Sequence, residues 1–225
     1  GWMLQEPYML KLSGVAPAQY DIRKKITALI GEGRCEEFYS AWLVNMVTRR
    51  DIDSLKAWGF NSVRLPMHYN LFTPPVEAEP VAGEFTWIEK GFEMTDSLLA
   101  WCAANEIYLI LDLHAAPGGQ GNDIPIADVD TTKPKLWESE VNRWKTIALW
   151  HKLAERYRDE PWIGGYDLIN ETNYPLDGNV ALRQFLTEIT AAIRMVDTNH
   201  IIFVEGNHFA TDFEGLTPPW DSNMV

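Results

Sequence analysis

Four short apolar runs divide the chain, each followed by polar residues: 61–66 (NSVRLP), 107–113 (IYLILDL), 163–169 (IGGYDLI) and 200–204 (HIIFV). Runs of this length with no polar alternation read as strands buried on both faces. Helical spacing fills the intervals. Thr48 is placed to cap a helix running through Trp58, with Asp51 in its first turn and Gly59 as its stop. A second helix is expected over about 88–106, where Leu98, Leu99, Trp101 and Cys102 share one side and Asn105 terminates. Ile147, Trp150, Leu153, Ala154 and Tyr157 mark a third, closed by Pro161. Leu182, Phe185, Leu186, Ile189 and Ile193 mark a fourth, with Asn179 as its cap.

Strict alternation of strand and helix implies a parallel α/β sheet with right-handed crossovers, which leaves a doubly wound sheet or a (β/α)8 TIM barrel. The strand ends choose the barrel. A dinucleotide-type sheet opens with a Gly-rich turn, and no G-x-G-x-x-G occurs in the chain. Instead each run delivers a polar residue at its C-terminal end: Arg64, His114, the pair Asn170 and Glu171, and Glu205. Those positions ring one mouth of a barrel, where such enzymes keep their chemistry. From Arg64 to Glu205 each repeat takes about 47 residues, so eight repeats need on the order of 350. The chain has 225. The expectation is therefore one incomplete domain, 1–225, running from the exit of strand one through strand five, with strands six to eight outside it.

Composition narrows the partners. A content of 46% hydrophobic residues supports one sizeable core, and no stretch reaches the roughly 18 uninterrupted apolar residues of a membrane helix, so no membrane insertion is expected. The formal charge of −13 disfavours nucleic acid or anionic lipid as partner. A neutral ligand fits better, and ten tryptophans offer flat faces suited to sugar rings, although each serves equally well in a core. Cys35 and Cys102 form neither a disulfide framework nor a metal spacing, and Cys102 reads as a buried thiol. The chain opens at Gly1 with no basic and apolar leader, so any targeting segment is expected to have been removed or left out. Oligomeric state is not legible.

Candidate chemistry concentrates in residues 166–171 (YDLINE). A carboxyl at a barrel mouth can protonate a glycosidic oxygen if its pKa is raised, and the amide before it can hold a sugar hydroxyl; a glutamate that merely caps the next loop is the structural alternative. Arg64 either orients a carboxylate or makes a structural ion pair, for instance with Asp112. His114 enters a Gly/Pro loop that can approach a ligand closely, or is structural. The run 118–121 (GGQG) lacks the Lys-Ser/Thr of a phosphate cradle, the histidines show no metal spacing, and no G-x-S-x-G elbow is present. Neither a metal nor a cofactor is expected.

The ordered set of 63–66 (VRLP), 112–114 (DLH) and 170–171 (NE) resembles glycoside hydrolase family 5 over nearly the whole chain. That resemblance implies a retaining, cellulase-type β-glycanase with Glu171 as catalytic acid/base and Asn170, Arg64 and His114 supporting the sugar. The opening 1–7 (GWMLQEP) resembles the strand-one exit of β-glucan hydrolases and adds Glu6. The family nucleophile, a glutamate on strand seven, is expected beyond Val225. Glu205 is expected at the rim or in a structural role, and Glu138, Glu140 and Glu214 in solvent. His68, Trp2, Trp137 and Trp220 complete the expected subsites. The implied partner is a β-linked polysaccharide or oligosaccharide, and the implied location is extracellular or periplasmic. Two rivals are a non-catalytic sugar-binding barrel and a Schiff-base lyase or aldolase; the second is disfavoured because no strand end carries a lysine. The choice among cellulose, mixed-linkage glucan, β-1,3-glucan, xyloglucan and mannan is not legible.

Overall fold

A computed structural model describes residues 1–12 and 14–225. Four parallel strands, β1 (Ser62–His68), β2 (Tyr108–Ala115), β3 (Ile163–Asp167) and β4 (Ile201–Phe203), lie side by side in chain order. Parallel neighbours need a crossover, and three helices supply them: α4 (Glu89–Ala104), α6 (Glu140–Tyr157) and α7 (Val180–Arg194). Before β1 come α1 (Gln19–Ile30), α2 (Glu32–Asn45) and α3 (Arg49–Ala57); two short turns of helix, α5 (Ile124–Ala127) and α8 (Asn207–Ala210), sit in the loops after β2 and β4.

Strand register separates the two faces of the sheet. Leu65, Leu111, Tyr166 and Ile202 are aligned across all four strands, and all four are buried. They face the helices, where the Tyr166 ring lies 5.7 Å from that of Trp150 on α6. Each such side chain contributes roughly 1.5–3 kcal/mol by leaving water. The period of two then puts Arg64, Asp112, Asp167 and Glu205 on the opposite, inner face. Gly165 is required on that face: at φ 154°, a Cβ there would stand 2.5 Å from the Ile201 carbonyl and 2.7 Å from the Phe203 ring.

Three of the expected helices match α4, α6 and α7, and α3 opens on a capping box in which the Asp51 carboxylate accepts from the backbone N–H and the hydroxyl of Thr48. Three expectations need correction. Asn179 stands at the α7 N-cap, yet its amide donates to Asp212 and to the Glu214 carbonyl and so ties down the loop after β4 instead of capping the helix. The first strand is not buried on both faces, because β1 is the sheet edge and Ser62 and Arg64 are exposed. The Gly118 turn also packs tightly within the protein: a Cβ there would collide with Asn142 and with the backbone of Leu136 and Pro134. Finally, the sheet does not end at β4. Residues 223–225 run parallel to it, with Ile202 N–H donating to Asn223 O at 2.9 Å and Val225 N–H to Ile202 O at 2.9 Å.

Candidate active site

Arg64 is the hub of the inner face. Its Nε donates to Asp167 Oδ2 at 2.7 Å, and its Nη2 to Asn170 Oδ1 at 3.0 Å and to Glu205 Oε1 at 2.6 Å; Nη1 lies 3.1 Å from Asp112 Oδ2. The structural reading of Arg64, an ion pair with Asp112, is present, and the same fork also grips the amide beside Glu171. One guanidinium faces three carboxylates, and burial together with their mutual repulsion pushes the Asp167 and Glu205 carboxyls above the usual range. Asp167 and Glu205 therefore hold on to protons more tightly than free carboxylates do.

His114 continues the same face at the end of β2. Its Nδ1 lies 2.7 Å from Asp112 Oδ2 and its Nε2 3.7 Å from Glu6 Oε1, which brings the two ends of the chain's first half together. Burial alone would push the imidazole pKa down, but the flanking Asp112 and Glu6 carboxylates outweigh it and raise it to about 9. Tyr8 lies near Glu6; partial burial first, then the charges of Glu6 and Glu171, push its phenol up.

Glu171 follows β3 at the mouth and is half-buried. Its φ of 36° puts a non-glycine residue in the left-handed region, at a cost of about 1–3 kcal/mol that the surroundings must offset. They do so on each side. Asn170 N–H donates to Leu113 O at 3.3 Å, Gln120 Nε2 donates to Asn170 O at 2.8 Å, Glu171 N–H donates to Glu205 Oε2 at 2.6 Å, and Phe209 N–H donates to Thr172 O at 3.2 Å. The Asn170 side chain is buried, and its Nδ2 has no hydrogen-bond partner among the described residues. A donor in that state is available to an acceptor on a ligand.

The expected residues divide into two groups. Arg64, His114, Glu6, Asn170 and Glu171 converge. His68 is buried beside them, with Nε2 3.0 Å from Asp128 Oδ2 and Nδ1 accepting from Asn70 N–H, so it stabilises the turn after β1. Trp2 is buried and its indole donates to Leu43 O at 2.7 Å; it walls a cavity of about 320 Å³ shared with Gln5, Trp42 and Asp128. Trp137 donates to Gln120 O at 2.8 Å and stands edge-on to Phe185, on the outer rim. Trp220 is far from the cluster. Its indole donates to Thr190 in the later turns of α7, which lead back to the start of β4, the opposite end from Glu171. Glu138, expected in solvent, is exposed but accepts from Tyr174 OH at 2.8 Å.

Sequence reasoning passed over Gln120, which is fully buried and ties the exit of β2 to the exit of β3: its Oε1 accepts from Ala116 N–H at 3.1 Å and its Nε2 donates to the carbonyls of His114 and Asn170. The signal was its place in a Gly-rich run directly after a strand-end histidine. A second cavity, about 460 Å³, opens beside it between Tyr69, Gly118, Asp128 and Asn142.

Parallel β/α units with their reactive side chains gathered at the C-terminal ends of the strands define an arc of a (β/α)8-barrel enzyme. The chain matches the Cellulase (glycosyl hydrolase family 5) family over residues 24–225, and it belongs to that family. It is 34% identical over 213 residues to a beta-xylosidase of Phanerodontia chrysosporium, covering 95% of this chain and 42% of that protein. It is 29% identical over 163 residues to endoglucanase C of Acetivibrio thermocellus, covering 72% and 43%. Thermotoga maritima Cel5A, solved in complex with cellobiose, superposes with a TM-score of 0.63 at 20% identity, over 82% of this chain and 53% of that one. The chain thus spans about half or less of the length of these proteins.

Proposed function

We propose that this chain carries the acid/base half of a retaining β-glycosidase acting on β-glucan or a related plant polysaccharide. The observation that carries the reading is the pair Asn170 and Glu171 at the end of β3: a half-buried carboxyl held in a left-handed backbone, beside a buried amide with a donor left over for a sugar hydroxyl. In the first step Glu171 protonates the departing glycosidic oxygen while a second carboxylate attacks the anomeric carbon from the opposite face. In the second step Glu171 takes a proton from water, which releases the sugar with retained configuration. Retention needs the two carboxyls roughly 5–5.5 Å apart. We assign the attacking carboxylate to a residue outside these 225, because Glu205 stands only one strand after Glu171, where it binds Arg64 and the Glu171 backbone, and not at the strand-seven position that the family resemblance implies. His114 and Glu6, linked to each other, face the sugar at the scissile bond, and secretion is part of the same proposal.

A second reading, an exo-acting glycosidase on short β-xylosides, is favoured by the 34% identity to the beta-xylosidase. One assay addresses both. In the natural full-length protein, release of reducing sugar from β-glucans is compared with release of nitrophenol from aryl β-glucoside and β-xyloside, for wild type and Glu171→Gln. Expected is a fall of about 10²–10⁴-fold on unactivated glycosides, with a smaller effect on the first step for good leaving groups. Wild-type rates on both would remove Glu171 from its role.

A further inference from the structure

Glu205 lies one strand beyond Glu171, on the exit of β4, and each of its oxygens has a different partner. Oε2 accepts from the backbone N–H of Glu171 at 2.6 Å, and Oε1 accepts from Arg64 Nη2 at 2.6 Å. Arg64 in turn grips Asn170 Oδ1 at 3.0 Å. Glu171 therefore sits in a closed ring, Glu171 N to Glu205 to Arg64 to Asn170, that spans three strands. Glu171 stands at φ 36°, and its peptide N–H needs an acceptor. The carboxylate of Glu205 provides one through a charge-assisted bond, and the same side chain is fixed from behind by a guanidinium.

We propose that Glu205 is a positioning residue that acts through Glu171, setting the direction in which its carboxyl leaves the strand. The proposal rests on the acid/base reading of Glu171 given above. A glutamate that only stabilises the barrel would affect every substrate alike when removed. One that aims the proton donor affects bonds that need protonation and spares those that do not.

The test is a double-mutant cycle in the natural full-length protein: wild type, Glu205→Ala, Glu171→Gln and the double variant, each assayed by kcat/KM on a β-linked oligosaccharide and on the dinitrophenyl glycoside of the same sugar. Expected for Glu205→Ala is a loss of about 10²-fold on the oligosaccharide and under about 10-fold on the dinitrophenyl glycoside, whose leaving group needs no proton. On the Glu171→Gln background the same change should cost little more, because its effect passes through a carboxyl already gone. Should Glu205→Ala fail to fold, Glu205→Gln takes its place. It keeps an acceptor for Glu171 N–H, and the same leaving-group dependence is expected at reduced size. Equal losses on both substrates, or full additivity with Glu171→Gln, would overturn the positioning role. Wild-type rates in Glu171→Gln alone would overturn the acid/base assignment first, a distinct result read from a different variant.

Discussion

His114 shows how single residues in this site are tuned by what the fold brings to them. Imidazole in water titrates near 6.5; here two carboxylates, Asp112 and Glu6, hold the imidazolium and raise its pKa to about 9 against the opposing effect of burial. The folded state thus binds the proton more tightly than the unfolded state. The resulting stabilisation is fully present below pH 6.5, declines between 6.5 and 9, and is gone above 9. Its size is on the order of 3 kcal/mol. The expected outcome is that the gap in Tm between wild type and His114→Gln is widest near pH 6 and shrinks by pH 9.5; a gap that is constant across that range would show that His114 is not held as the cation. Much of this residue-level site was legible, because a polar residue that ends a buried strand has nowhere to go but the barrel mouth: His114, Asn170 and Glu171 follow from that rule, whereas Arg64, expected at the end of its strand, is the third of the seven residues of β1 and reaches the cluster through its long side chain. Gln120, Asp128 and the double engagement of Glu205 were not. Each depends on how a loop folds back across neighbouring strands, and spacing along one strand carries no information about that return.

Among the elements, legibility followed burial. The helices α4, α6 and α7 each bury at least six residues at helical spacing against the sheet, so the pattern stood out. In α1 only Ile22 is buried, and in α2 only Cys35 and Tyr39, which leaves no stripe to read, and neither helix was anticipated. An invisible tie also joins α6 to the long connection between β1 and α4. Lys145, fully buried on α6, pairs with Glu79 and donates to the Pro74 carbonyl, while Glu79 accepts from the backbone and hydroxyl of Thr86. A helical lysine is normally read as solvated, and nothing in its spacing marks it otherwise. Removing one partner leaves a charge buried without its counterpart, so Lys145→Met alone should cost about 3–5 kcal/mol in chemical denaturation. Combining it with Glu79→Leu should recover a substantial part of that loss. A double variant as unstable as the sum of the two singles would mean that the pair does not act as a unit.

At the scale of the molecule the sheet has two unequal edges. On one side residues 223–225 already extend it beyond β4; on the other, β1 has no strand partner among the described residues. The missed extension is explained by its length, since three residues form no run that a pattern can detect. Exposed parallel edges and the apolar side chains near them, such as Phe60 just before β1, favour pairing with another copy. Opposing this is a formal charge of −13, which keeps copies apart at low ionic strength and is screened over a Debye length of about 8 Å at physiological salt. The two forces predict a salt-dependent outcome for the 225-residue chain on its own. In dilute buffer it should sediment mainly as a monomer with a broad, poorly cooperative thermal transition. As salt is raised towards 0.5 M it should associate and bind a hydrophobic dye more strongly. A chain extended to the length of its relatives, with the edges paired internally, should unfold sharply and show neither trend. If the 225-residue chain stayed monomeric at every salt concentration and unfolded in one sharp step, the four parallel strands and their helices would be a self-sufficient unit, and edge exposure would not govern its solution behaviour.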